Sequence, residues 1–301
     1  MASNVVGTVP TTSNYVDLTF DAEPSSSSTT DTSTSEKPAK KQKKSKDVTK
    51  QQWDPMKYQM AEKPSSFFMK RLKKDIENIY REPIPFVFVA PDDDDLTQIH
   101  AIICGPEGTP YEGGFFYFFI RVTADYPIKP PLVRLMTTGN GVVRFNPNLY
   151  ANGKVCLSIL GTWPGPEWTA AQSISSMLVS IQSLMNDKPL FNEPGITMKS
   201  HGDEFEQYNN YIRHEVLRVA ALDNVEGFTK LPPSLYAFIK SSFPDYIEHY
   251  QKVIGKNKML DGKTMQHFFR YADNGKYRYK ELESRLNVVK EKYKNRQDLR
   301  K

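Results

Sequence analysis

Between residues 86 and 136 the chain carries four apolar runs separated only by short turn segments. Phe86 to Val89 is short and apolar, and Leu96 to Cys104 is β-branched and apolar. Phe115 to Val122 is dense in aromatics, and Leu132 to Met136 follows Pro130-Pro131. The connections hold Asp92 to Asp95, Gly105-Pro106-Glu107-Gly108 with Gly113-Gly114, and Tyr126-Pro127, all turn chemistry. Such short connections favour an antiparallel meander, each strand pairing with its sequence neighbour. Before the runs, Pro64-Ser65-Ser66 is a helix start, and Phe68, Leu72, Ile76 and Ile79 repeat at helical spacing until Pro83 and Pro85. After them, Ile174, Met177, Leu178, Ile181, Leu184 and Met185 form one helical stripe; Tyr208, Tyr211, Ile212, Val216, Val219 and Ala220 form another. One helix, four strands and then helices define an α+β fold with a meander sheet.

The flanks differ from this body. Ten of the eleven residues from Ser25 to Ser35 are Ser or Thr, and a lysine-rich stretch follows. Such a segment buries too little apolar surface to offset its chain entropy, so residues 1–52 are expected as a disordered tail. Residues 53–226 are expected as the core. Residues 227–301 form a basic extension, with a helix after Pro232-Pro233, turns at Asp261-Gly262 and Asn274-Gly275, and a helix from about Lys280. Phe238, Ile239, Tyr246 and Phe268 suggest that this extension docks onto the core.

The net charge of +5 is unevenly spread: residues 1–36 sum to −5, 37–50 to +6, 51–230 to −4 and 231–301 to +8. A nucleic-acid binder carries its basic face on the folded body. Here the body is mildly acidic, so no nucleic-acid partner is expected. The run from Lys40 to Lys46 reads either as a nuclear import signal or as a solvated tail. No apolar run approaches the ~18 residues of a membrane span, so no membrane partner is expected. Two cysteines build neither a Cys-rich zinc site nor a disulfide framework. Asp92 to Asp95 lack ligand spacing, so no metal site is expected.

Residues 137–168 hold five glycines and three prolines at scattered positions with little regular pattern, and a stretch this long inside a compact body is usually functional or disordered. Cys156 lies within it, where a thiol can be exposed and Lys154 can favour thiolate. Cys104 ends an apolar run and reads as core. The histidines are His100, His201, His214, His249 and His267, and none adjoins Cys156 in sequence. A thiol protease would need such a base.

The motifs then agree in order and spacing over about residues 64–215. Tyr111-Glu112-Gly113-Gly114, Asp125-Tyr126-Pro127-Ile128-Lys129-Pro130-Pro131, Asn146-Pro147-Asn148 and Gly153 to Leu160 together resemble the ubiquitin-conjugating enzyme family. The family's catalytic cysteine lies eight residues after the Asn of a His-Pro-Asn motif; Cys156 lies eight after Asn148. The Asn-Pro-Asn version, the 161–166 insertion and the long C-terminal extension are most like the family's Z type.

The resemblance implies the following. An activating enzyme passes ubiquitin or a ubiquitin-like modifier to Cys156 as a thioester, and a substrate lysine then attacks it. The chain needs no cofactor, because ATP is spent by the activating enzyme. Asn148 holds the active-site loop or stabilises the oxyanion, and Glu193 orients or helps deprotonate the amine. Lys70, Arg71, Lys74, Ile128 and Ala170 fall at activating-enzyme or ligase contacts. Cytoplasm and nucleus are the expected compartments. Asn146 replaces the family's histidine in a loop role, and Ser158 replaces an Asp. Ile128 and Ala170 depart from the usual ligase-contact residues. A noncatalytic variant would lack Cys156, and a nucleic-acid binder stacking bases on Phe115 to Ile120 would need those rings outside the core.

Overall fold

The computed structural model describes residues 53–60, 64–266, 268–269 and 275–298. The expected tail at 1–52, its lysine run, His267 and Asn274 lie outside the described residues.

Helix α1 (Ser66–Arg81) starts where Ser65 caps it, the Oγ accepting the Phe68 N–H at 3.1 Å. Phe68, Leu72, Ile76 and Ile79 all point into the core. Strands β1 (Val87–Pro91), β2 (Gln98–Cys104), β3 (Phe115–Arg121) and β4 (Leu132–Leu135) pair in sequence order, all antiparallel. Phe88 faces Ile102, Ile102 faces Tyr117, and Phe118 faces Leu135. The rings of β3 are buried from Phe115 to Phe119, so they are core and unavailable to bases. The four aspartates are a turn: Asp92 Oδ1 accepts the N–H groups of Asp94 and Asp95, and Asp95 pairs with Arg121 at 2.8 Å.

Residues 143–156, expected without regular pattern, fold back as a small hairpin. Leu149 bridges Val155, and Lys154 bridges Arg134 of β4. Gly153 makes this turn possible: its φ is +87°, and a Cβ there would stand 2.5 Å from the Leu135 carbonyl oxygen.

Helix α2 (Ile174–Gln182) opens with a Ser173–Ser176 capping box and buries Ile174, Met177, Leu178 and Ile181. Helix α3 (Met198–Glu215) runs on through a π-helical stretch, Val216–Asp223, into the short α4 (Asn224–Glu226). The extension adds α5 (Pro233–Ser242), α6 (Ile247–Asn257) and α7 (Tyr279–Asp298). The periodicity reading does not contain α6. Its buried face has only Tyr250 and Ile254, too few for a stripe to stand out in sequence.

The extension packs on the core through aromatics. Phe238 stacks on Phe88 at 4.6 Å, Tyr246 meets Phe115 edge-on at 5.7 Å, and the Tyr250 hydroxyl donates to the Gly113 carbonyl at 2.6 Å. His214 anchors the start of α7. Its Nε2 accepts the Arg278 N–H at 3.0 Å, so its Nδ1 carries the hydrogen donated to Glu215 at 2.7 Å. Tyr277 and Tyr279 enclose the ring edge-on.

Candidate active site

The hairpin of residues 143–156 is held by buried polar groups that converge on one turn. Asn146 is fully buried and fully used: its Nδ2 donates to the Tyr111 hydroxyl and the Leu184 carbonyl, and its Oδ1 accepts the Asn148 N–H at 2.9 Å. That is a loop-holding role. Asn148 Nδ2 donates to the Cys156 carbonyl at 2.8 Å, while the Cys156 N–H donates to the Asn148 carbonyl at 2.9 Å. The two residues, eight apart in sequence, are locked as a pair. With its amide on the Cys156 carbonyl, Asn148 works here on the loop rather than as a free oxyanion donor. Asn148 Oδ1 is buried without a hydrogen bond.

Cys156 itself is 1% exposed, which corrects the expectation of an open thiol. The irregular stretch allowed exposure, but its chain is a closed hairpin in which the Cys156 N–H is bonded to the Asn148 carbonyl and Leu149 bridges Val155. Burial pushes the Cys156 thiol up; Lys154, the Tyr150 hydroxyl and Arg144 pull it down less strongly, and Glu193 adds to the rise. Lys154 therefore acts in the expected direction but does not prevail. Thr162 pins the insertion to the same loop, its hydroxyl donating to the Val155 carbonyl at 2.6 Å and accepting the Leu157 N–H. Cys104 is buried in β2, and burial alone pushes it up to about 12.

Glu193 ends the turn Pro189–Asn192, with its carboxylate 4.0 Å from the Arg144 guanidinium and one oxygen buried without a hydrogen bond. It sits close enough to Cys156 to act on the thiol. Arg144 is the residue the sequence reading missed. It is buried, donates to the Asn146 carbonyl at 3.3 Å and the Pro147 carbonyl at 2.6 Å, and packs on the rings of Tyr150 and Phe269 at 4.1 and 3.9 Å. A basic residue two positions before the Asn-Pro-Asn turn, with an aromatic two after it, was the available signal.

The four described histidines are occupied elsewhere. His100 bonds Tyr117, His201 bonds Ser200, His214 bonds Glu215 and His249 pairs with Glu112. Among the described residues no three of His, Cys, Asp and Glu cluster as metal ligands. No described helix is long and apolar enough to cross a membrane.

The contact candidates lie on three adjoining segments. Lys70 and Lys74 are exposed on α1, Ile128 is 72% exposed, and Ala170 is exposed. Three hydrogen bonds tie these segments together. Trp168 Nε1 donates to the Pro127 carbonyl at 2.8 Å, and Arg71 reaches the Ala170 and Gln172 carbonyls at 2.9 and 2.6 Å. Arg71 also pairs with the buried Asp75 at 3.1 Å, so its guanidinium faces the loop and α1 rather than the solvent. Phe67, 71% exposed on α1, adds an apolar residue to this surface.

The family profile for ubiquitin-conjugating enzymes matches residues 71–213. The chain is 49% identical over 235 residues to ubiquitin-conjugating enzyme E2 Z of Xenopus tropicalis, covering 78% of this chain and 75% of that one. To ubiquitin-conjugating enzyme E2 Z of Homo sapiens it is 52% identical over 222 residues, covering 74% and 62%. To the human dual E2 ubiquitin-conjugating enzyme/E3 ubiquitin-protein ligase BIRC6 it is 45% identical over 151 residues, covering 47% of this chain and 3% of that one. The profile ends in α3, whereas the E2 Z matches run beyond its length. A meander sheet, a cysteine locked to an asparagine in the hairpin beside it, and identity near one half over most of the chain converge on one assignment: the chain belongs to the ubiquitin-conjugating enzyme family.

Proposed function

We propose that Cys156 is the residue on which the chain carries its modifier. The Cys156 thiolate attacks the thioester carbonyl presented by an activating enzyme; a new C–S bond forms and the activating enzyme's thiolate leaves. The uncharged amine of a substrate lysine then attacks the same carbonyl. The Cys156 thiolate leaves, an isopeptide bond remains, and the amine's spare proton passes to the surroundings. Each acyl group arrives already activated, so no histidine base and no cofactor of the chain's own are needed. ATP is spent upstream.

The observation that carries this reading is the reciprocal lock between Asn148 and Cys156, which fixes the backbone carrying the sulfur. Asn148 holds that loop, and Glu193, beside Arg144, aims the incoming amine. Lys70, Lys74, Ile128 and Ala170 offer the face for activating enzyme and ligase, with Arg71 holding that face in shape. Substrates are proteins bearing accessible lysines. Cytoplasm and nucleus are the proposed compartments, the Lys40 to Lys46 run serving as the import signal.

The test is charging. The full chain is incubated with ATP, a panel of activating enzymes and a panel of modifiers, then resolved without and with reductant. A reductant-sensitive adduct with at least one pair supports the reading. A modified lysine with no reductant-sensitive intermediate on any pair would sink it.

A further inference from the structure

The extension reaches the catalytic centre. Phe269 lies after α6, far in sequence from the hairpin, yet its ring packs on the Arg144 guanidinium at 3.9 Å. The same guanidinium packs on the Tyr150 ring at 4.1 Å. Phe269 is itself braced by Phe268 at 5.1 Å and Tyr208 at 6.0 Å, and Phe268 meets His201 on α3. Tyr150 stands across the hairpin from the thiol's own strand, its N–H donating to the Lys154 carbonyl at 3.0 Å, and its hydroxyl is among the groups that hold the Cys156 thiol down against burial. That sulfur belongs to a residue only 1% exposed, although its task is to meet the carbonyl of another protein. Something must open, and Tyr150 is only part-buried. A guanidinium held by two rings makes a firm mount for it.

We propose that Phe269 is a positioning residue of the catalytic centre: by closing the stack Phe269, Arg144, Tyr150 it keeps the Tyr150 side chain over the Cys156 thiol, so the C-terminal extension sets access to that thiol. This rests on the reading that Cys156 carries the modifier. It adds that the extension, beyond stabilising the core, governs how often the sulfur is open.

The experiment measures alkylation of Cys156 by iodoacetamide in the full chain, resolved by peptide mass so that Cys104 is scored apart. The rate is followed against pH to its plateau, where the thiol is ionised in every variant and the rate follows the open fraction. Phe269→Ala should raise the plateau about fivefold, the equivalent of ~1 kcal/mol for one lost cation–π face. Tyr150→Ala, at the other end of the stack, should raise it at least as much. Phe269→Tyr keeps a ring and should stay within about twofold of the parent. Phe238→Ala loosens the extension at Phe88, away from the stack, and should lower stability without raising the plateau. An unchanged plateau in Phe269→Ala, or an equal rise in Phe238→Ala, would overturn the proposal. Thioester formation is scored on the same samples. Its absence would sink the catalytic reading, while the alkylation rates would still judge the stack.

Discussion

At the scale of single residues, the two steps of the reaction ask for different groups. Loading needs the sulfur, whereas discharge needs the loop and the amine held in relation to it. Asn148 holds the Cys156 carbonyl and Glu193 stands beside Arg144, so both are predicted to act on discharge. Asn148→Ala should still accept the modifier but release it to free lysine on the order of 10²-fold more slowly, because a loosened Cys156 backbone misplaces the sulfur-bound acyl group. It should also cost about 1 kcal/mol of stability for the lost buried bond. Glu193→Ala should likewise load and discharge slowly at neutral pH. Its defect should fade towards pH about 10, where a lysine amine deprotonates unaided. Single-turnover discharge across pH reads both. Normal discharge at pH about 7 in both variants would remove these residues from the mechanism. The elevated Cys156 thiol makes a companion statement: alkylation of the sulfur should climb with pH beyond the ordinary thiol range, because burial disfavours its charged form.

At the scale of elements, the clamp between α1 and the loop after Trp168 fixes the surface proposed to meet partners. Arg71 joins the buried Asp75, the Ala170 carbonyl and the Gln172 carbonyl, and Tyr126 donates to the same Asp75. Arg71→Ala would strand a buried carboxylate, so it should lose about 3 kcal/mol in denaturant unfolding. Arg71→Lys should rescue little, because one ammonium cannot span the fork of acceptors. A loss below about 1 kcal/mol would show that the clamp is dispensable. Here the limits of the sequence are plain. Periodicity alone located α1, α2, the sheet order and the turns, because each follows from local apolar spacing. It marked Arg71 as a surface cation because it sits on the polar side of the α1 stripe, and carbonyls ninety-nine and more positions away decide otherwise. The same holds for Cys156 and Arg144. An irregular stretch suggests an open thiol, while the closed hairpin that holds Cys156 and the Phe269 ring that packs on Arg144 come from long-range packing. The resemblance supplied Asn148 and Glu193; spacing alone would not have picked them out.

At the scale of the whole molecule, the extension is continuous with the core through His214, Glu215 and Arg218. Burial would raise Glu215, but its bond with His214 and the Arg218 charge outweigh it, so its carboxyl is held below the ordinary glutamate value. A depressed folded value stabilises the protein above the unfolded glutamate range and is lost as pH falls through it. Glu215→Gln should therefore be less stable by about 3 kcal/mol at neutral pH, with the gap to the parent closing in acid. Thermal unfolding from neutral to acid pH checks this, and a gap that stays constant with pH would contradict it. The account as a whole stands on one sulfur. The most direct measurement is the mass of the charged full chain, with the attachment site mapped by peptide, for the parent, Cys156→Ser and Cys104→Ser. The account predicts a reductant-sensitive modifier on Cys156 in the parent and in Cys104→Ser, and a reductant-resistant oxyester at position 156 in Cys156→Ser. A reductant-sensitive adduct that persists in Cys156→Ser, or that disappears in a folded Cys104→Ser, would contradict it.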